Sequence, residues 1–349
     1  MSPVTKIGVR LGLGGQTWVA PQVSRRALIV AAGLSVGCWQ AVEYLVRALP
    51  HRQQPALLAA ARAALSAQRE IARTKEQMGL LQSSAADPNR TGLIGPDWSE
   101  ITTTIGDLPA KRTMTNPDFA AMIARILLSF DPAPSAAVGL VLSGSFVGAN
   151  VAAIAAVEAL GLRPVIISSL GASMYGATDP SLTWLDMEAV VRDAGIWQAR
   201  SAAVVLGGES AAVGSMDKSG RELLIAAARR NGYTPIERRD FGELKVEVYA
   251  ALTDAAPQGL VALVNSGGSV VGMGTCLDAY RLPSSVLTGK FPCQSGVSGL
   301  IHDFSASGIP VINLLNIKRL ALDWGLPFDP VPLPTIGENV QVYRRIAFP

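Results

Sequence analysis

"AAVGLVLSGSFVGANVAAIAAVEALG", Ala136 to Gly161, sets three kinds of sequence in a row, and its reading decides the fold. Ala136–Leu142 is a short unbroken apolar run, the pattern of a strand buried on both faces. Val151–Gly161 is alanine-rich, long enough for a helix, and closed by a glycine past its last turn. Between them, "SGSFVGAN" (Ser143–Asn150) is small and polar. Strand, tight turn and helix make the first part of a βαβ unit.

The same alternation extends both ways. "NPDFAAMIARILLSF" opens a helix with Asn116 as N-cap and Pro117 at its first position. "RPVIISS", "SAAVVLGG", "GLVALVNSGG" and "IPVINLL" read as strands; "LTWLDMEAVVRDAG", "GRELLIAAARRNG" and "IKRLALDWG" read as helices. Strands that alternate with helices imply an α/β fold: a mostly parallel, doubly wound, Rossmann-like sheet covered on both faces. Gly144-Ser145-Phe146-Val147-Gly148 and Gly268-Ser269-Val270-Val271-Gly272 share the pattern G-S-x-V-G, each after a buried strand. Two similar halves would explain the echo, and so would chance in a glycine-rich chain.

In an open parallel sheet, ligands gather beyond the carboxyl ends of the strands, where small-residue loops expose backbone N–H groups. Both turns belong there. Candidate ligand contacts are Ser143, Gly144, Ser145, Gly148 and Asn150 from the first turn, and Gly267, Gly268 and Ser269 from the second. The long polar passage Gly95–Ala120 adds Glu100, Lys111 and Arg112, the two cations being suited to an acidic ligand. The alternative is that Gly and Ser merely satisfy turn and cap geometry.

Several chemistries are disfavoured. G-x-G-x-x-G and Gly-Lys-Ser/Thr are both absent, which argues against a dinucleotide or phosphate loop. The hydrolase elbow G-x-S-x-G is not matched, because Gly144 directly precedes Ser145. A nucleophilic Ser145 or Ser143 would draw on His302 with Asp186 or Asp303, although a lone histidine on an apolar helix is more often structural. Asp186 and Glu188 at a helix start equally suit the helix dipole. The net charge of +3 comes without a Lys/Arg block and with 6% aromatic residues, so nucleic acid is a poor partner. The three cysteines lack a CxxC pair, and neither a metal nor a cofactor is indicated. Cys276 and Cys293 pair only if the domain lies outside the cytosol; buried free thiols are the main expectation.

The amino-terminal part reads differently. Residues 1–26 form a short basic cytoplasmic tail with Lys6, Arg10, Arg25 and Arg26. "ALIVAAGLSVGCWQAV", extended through 46, predicts a transmembrane anchor over 27–46, and the positive-inside bias sends the remainder across. Its rivals are a buried core helix and a cleaved signal peptide. Residues 47–90 predict a helical stalk and linker, followed by the α/β domain over 91–349.

The stretches "GLIGPDWSEITTTIGDLPAKRTMTNPDFAA" (92–121), "SGSFVGAN", "ISSLGASMYGA" (167–177), "TWLDME" (183–188), "GRELL" (220–224) and "IPVINLLNI" (309–317) occur in the order found in the poly-gamma-glutamate system protein family, which this chain resembles from about Gly92 to Gly337. The resemblance implies a membrane-tethered accessory of poly-gamma-glutamate (capsule) synthesis, export or retention. Its partners would be the polymer or its growing end and the ligase complex. It carries no catalytic residue over. Val147 stands where the family has Pro and Asn313 where it tends to have His, while His302 lies outside the matched stretches; a histidine mechanism is weakened accordingly. A serine-dependent gamma-glutamyl amidase or transferase is the alternative function.

Overall fold

The computed structural model describes residues 24–45, 47–207, 216–238, 240–283 and 285–347. The chain divides into one unit of Met1–Leu49 with Ile346–Pro349 and another of Pro50–Arg345. In the first, helix α1 (Arg25–Leu45) and strand β1 (Arg47–Pro50), paired with β10 (Arg344–Ala347), are described. Residues 1–23 of the expected tail lie outside the described residues.

Of the anchor expected over 27–46, residues 27–45 belong to helix α1. The segment is helical, yet among the described residues no helix is long and apolar enough to cross a membrane.

The larger unit contains α2 (Gln54–Met78), β2 (Thr102–Thr104), α3 (Leu108–Thr113), α4 (Asp118–Leu128), β3 (Ala137–Ser143), α5 (Val147–Ala159), β4 (Arg163–Ser169), β5 (Ala172–Ser173) and α6 (Trp184–Asp193). It continues with β6 (Ser201–Val205), α7 (Lys218–Arg230), α8 (Phe241–Asp254), β7 (Leu260–Ser266), α9 (Val270–Met273), β8 (Val286–Leu287), α10 (Leu300–Ala306), β9 (Val311–Leu314), α11 (Ile317–Asp323) and α12 (Val340–Tyr343).

Six strands form one sheet in the order β6-β4-β3-β7-β9-β8. Every pairing is parallel except that of β8 with β9. The strands are apolar on both faces because both are covered. Leu140, Leu142, Val264 and Ile312 face a core shared with α2, α4 and α5, while Val141, Ile167, Leu263 and Val311 face α8 and α10. The chain is a mixed α/β protein with a mostly parallel six-stranded sheet.

Of the helical stalk and linker expected over 47–90, Gln54–Met78 is helical, as α2, but it packs into the core of the larger unit. Leu57, Ala60, Ala61, Ala64, Ala67 and Ile71 of α2 are buried at 0–4% exposure in the same core as α4 and α5. The 3.6-residue spacing of those apolar positions forms a face that requires a partner, and the sheet's own helices supply it. The two expected halves also diverge. After β3 the chain makes the 13-residue α5 on one face, whereas after β7 it makes the four-residue α9, whose Val271 and Met273 belong to the opposite core.

Cys276 and Cys293 form a disulfide with Cα atoms 5.5 Å apart, which corrects the expectation of buried free thiols. The segments flanking the pair run together, with Thr275 N–H bonded to Val297 O at 2.9 Å, and this brings the two cysteines close.

Candidate functional site

β3 continues through α5 to β4 on one side of the sheet, and β7 continues to β9 on the other. The carboxyl ends of β3 and β7 therefore flank the switch point of the sheet, where open α/β sheets form their crevice. The two G-S-x-V-G turns lie there side by side. A Cβ placed on Gly267 would stand 3.9 Å from Ser143 Cβ and 3.5 Å from Phe146 Cβ.

Each turn is held by its own serine. Ser143 Oγ accepts the Ser145 N–H at 3.2 Å, and Ser269 Oγ accepts the Gly272 N–H at 3.2 Å. Ser145 Oγ accepts the Ser173 N–H at 2.9 Å. In each case the oxygen is used as an acceptor, which leaves the O–H proton for a ligand. Behind the turns, Asn150 acts as a strut between the two strands: its Nδ2 donates to Ser143 O at 2.9 Å, and its Oδ1 accepts from Ser266 Oγ at 2.6 Å.

The roof comes from two loops that meet in a small parallel pair, β2 with β5. That pairing brings Thr103, Thr104, Gly106 and Asp107 over the strand ends and inserts Lys111 of α3 from the side. The resulting cavity of about 230 Å³ is lined by these residues together with Ser143, Ser145, Phe146, Ser169, Ser173 and Gly267–Ser269, among others. Asp107 and Lys111 are the ionisable side chains of that lining.

Lys111 is 5% exposed. Its Nζ lies 2.6 Å from Ser145 O, 3.2 Å from Ser173 O and 2.9 Å from Ser173 Oγ, with the Phe146 ring centroid at 6.0 Å. Burial pushes its pKa down to about 7, against the smaller opposing pull of Asp107. Asp107 itself caps α3, accepting the Ala110 N–H at 3.2 Å.

Of the residues singled out from sequence, Ser143, Ser145, Gly267, Gly268, Ser269 and Lys111 therefore line one cavity. Others do not. Asn150 is the buried strut just described, and Gly148 sits where a Cβ would come within 2.7 Å of Met114 O, so its role is close packing of α5 against the α3–α4 loop. Gly144 is buried beneath the turn, its carbonyl accepting the Ala177 N–H at 2.7 Å. Arg112 is engaged away from the cavity, in a bidentate pair with Asp329 (2.7 and 2.5 Å). Glu100 is exposed on the loop before β2 and does not line the cavity.

The histidine triad does not assemble. His302 lies in α10 against the opposite core, 5% exposed, with neither ring nitrogen hydrogen-bonded. Burial lowers its pKa, so the neutral form persists there. Asp186 closes a capping box with Thr183 at the start of α6 and pairs with Arg230. Burial works against its ionised form, but Arg230, Asn231 and Thr183 outweigh that and hold the carboxyl below its usual range. Asp303 pairs with Lys245 at 2.8 Å.

Ser173, Ser169 and the threonines of β2 were not foreseen as site residues. The available signal was the small polar run "SSLGASMYGA", whose lack of bulk allows three backbone segments to meet. Gly176 shows how closely they do so: a Cβ there would lie 2.9 Å from Ser145 Cα and 3.0 Å from Ser145 O. Both are backbone atoms with no rotamer to yield. Gly176→Ala should therefore cost about 1–3 kcal/mol by overpacking and displace Ser145; a urea midpoint lowered at constant m would show it, and an unchanged midpoint would disprove this reading of the contact.

Compared with known proteins, the chain matches no family model, no curated protein and no solved structure.

Proposed function

We propose that the cavity between the two turns binds the carboxylate-bearing end of a gamma-glutamyl chain, and that the protein serves poly-gamma-glutamate synthesis, export or retention beside its ligase. One observation carries this reading: serine hydroxyls from both turns and the Lys111 amine converge on a single cavity at the switch point. The serine hydroxyls offer donors to a carboxylate, and the Lys111 amine, already bonded to Ser145 and Ser173, contributes its charge, against the single carboxylate of Asp107 in the same lining. The sequence resemblance supports glutamate polymer as the source of that carboxylate. At about 230 Å³ the cavity is smaller than the roughly 300–1,000 Å³ of a drug-sized site, so it suits an end group rather than a length of polymer. The Cys276–Cys293 disulfide supports an oxidising, extracytoplasmic setting for this unit. The exposed Leu28, Ile29, Val30, Leu34 and Trp39 of α1 support attachment at a membrane surface.

The test is calorimetry of the full chain with short gamma-glutamyl oligomers at low and moderate salt. Binding should weaken with salt. It should also weaken as pH rises above about 7, because the charged Lys111 favours the anion. Ser269→Ala should lose about tenfold or more, the value of a hydrogen bond to a charged group. Absence of binding at low salt, or equal affinity for alpha-linked oligomers, would refute the proposal.

A further inference from the structure

Lys111 and Ser173 are placed for more than holding an anion. Two of the three partners of Lys111 Nζ, Ser145 O at 2.6 Å and Ser173 O at 3.2 Å, are carbonyl oxygens, which only accept. A neutral amine has two N–H donors and one lone pair. With both donors committed to carbonyls, the lone pair is left facing the third partner, the Ser173 hydroxyl at 2.9 Å. The surroundings therefore hold a neutral lysine in the orientation that accepts a proton from Ser173. Ser173 lines the cavity, and its backbone is fixed by pairing of β5 with β2 and by the bond from its N–H to Ser145 Oγ.

We propose that Ser173 and Lys111 form a serine-lysine dyad that performs acyl transfer on a gamma-glutamyl amide, with Ser173 as nucleophile and Lys111 as general base. The substrate class rests on the reading of the cavity given above; the dyad itself rests on the geometry alone. Ser173 Oγ forms a bond to the amide carbonyl carbon as its proton passes to Lys111 Nζ. The tetrahedral intermediate collapses, the C–N bond breaks, and the Lys111 ammonium returns the proton to the leaving amine. The resulting ester on Ser173 is then cleaved by water, whose proton passes through Lys111 back to Ser173 Oγ, or by an amine, which gives transfer in place of hydrolysis. The hydroxyls of Ser143 and Ser269 line the same cavity and are available to the carbonyl oxygen as it gains charge. The lowered pKa of Lys111, about 7, supplies the neutral base near neutral pH. Asp107 is the other ionisable group facing the cavity, and its charge opposes the shift.

A fluorophosphonate probe tests the dyad without the natural ligand, because Ser173 displaces fluoride from phosphorus by the same attack. Intact-mass and peptide mapping of the full chain should locate the adduct on Ser173. The labelling rate should rise with pH to a plateau above about 7, opposite in direction to oligomer binding. Ser173→Ala should abolish labelling, and Lys111→Arg, which keeps the charge but cannot act as base, should slow it by about 10²–10⁴-fold. Oligomer binding by both variants reports that the cavity is still formed. No adduct, an adduct that survives Ser173→Ala, or a rate indifferent to Lys111→Arg would overturn the dyad. Loss of oligomer binding with Ser173 labelling intact would instead overturn the assignment of the ligand.

Discussion

Trp184→Ala should lower the unfolding free energy by about 3–5 kcal/mol, the range for truncating a buried aromatic. Trp184 is 0% exposed and begins α6 directly after its Thr183 cap. The loss is more than a cavity, because the indole also heads a buried polar chain. Its Nε1 donates to Ser168 Oγ at 3.0 Å, Ser168 Oγ lies 2.8 Å from Ser201 Oγ, and Ser201 donates to Glu188 Oε2 at 2.7 Å and, through its N–H, to Oε1 at 2.9 Å. Glu188 is 1% exposed, and burial raises its pKa against those hydrogen bonds. Removing the indole at one end loosens the partners that keep this carboxyl satisfied at the other. Trp98→Ala is the control: at 61% exposure it should change stability by less than about 0.5 kcal/mol. Urea denaturation of both variants decides the matter, and equal midpoints would contradict the packing described here.

The pattern that makes Trp184 matter is also what could be read without coordinates. Strands such as Ala137–Ser143 and Leu260–Ser266 are apolar up to their polar carboxyl ends because both faces are covered, and that signal is strong at any register. The two G-S-x-V-G turns were legible as strand-to-helix turns for the same reason, since each follows such a run. Their adjacency depended on strand order, which no local pattern encodes. Lys111 was visible as a cation in a long loop, but its burial and its approach to Ser173 arise from pairing of β2 with β5, segments some seventy positions apart in the chain. Helix α8 (Phe241–Asp254) gives no clear signal in the sequence, because "KVEVYAALTD" mixes charged and β-branched residues and its burial is confined to Phe241, Leu244, Val248 and Leu252. Arg112 and Asn150 misled for a related reason: a polar side chain in a functional-looking loop is often committed to holding that loop, and its partners, Asp329 and Ser266, lie far away in sequence.

The pH dependence of stability should be set largely by two buried lysines. Lys75 of α2 is 2% exposed, with Nζ donating to Ile94 O at 3.0 Å, and burial pushes its pKa down to about 8, against Asp87 and Asp179. Lys111 falls to about 7 for the same cause. In the unfolded chain both return to 10.5, so between about pH 7 and 10.5 the unfolded state binds more protons than the folded one. Stability must then rise with pH across that window, and below it the full cost of burying two ammonium groups is present. At 1.36 kcal/mol per pKa unit the costs are on the order of 5 kcal/mol for Lys111 and 3 kcal/mol for Lys75. Lys111→Met and Lys75→Met each remove one ionisation, so unfolding free energies measured from pH 6.5 to 10 should climb less steeply in either variant than in the native chain. Methionine leaves Ser145 O or Ile94 O without its donor, which shifts a variant's curve by a constant without altering its slope. Slopes identical to the native chain's would mean that neither amine is desolvated, and with that the neutral base beside Ser173 would lose its physical origin.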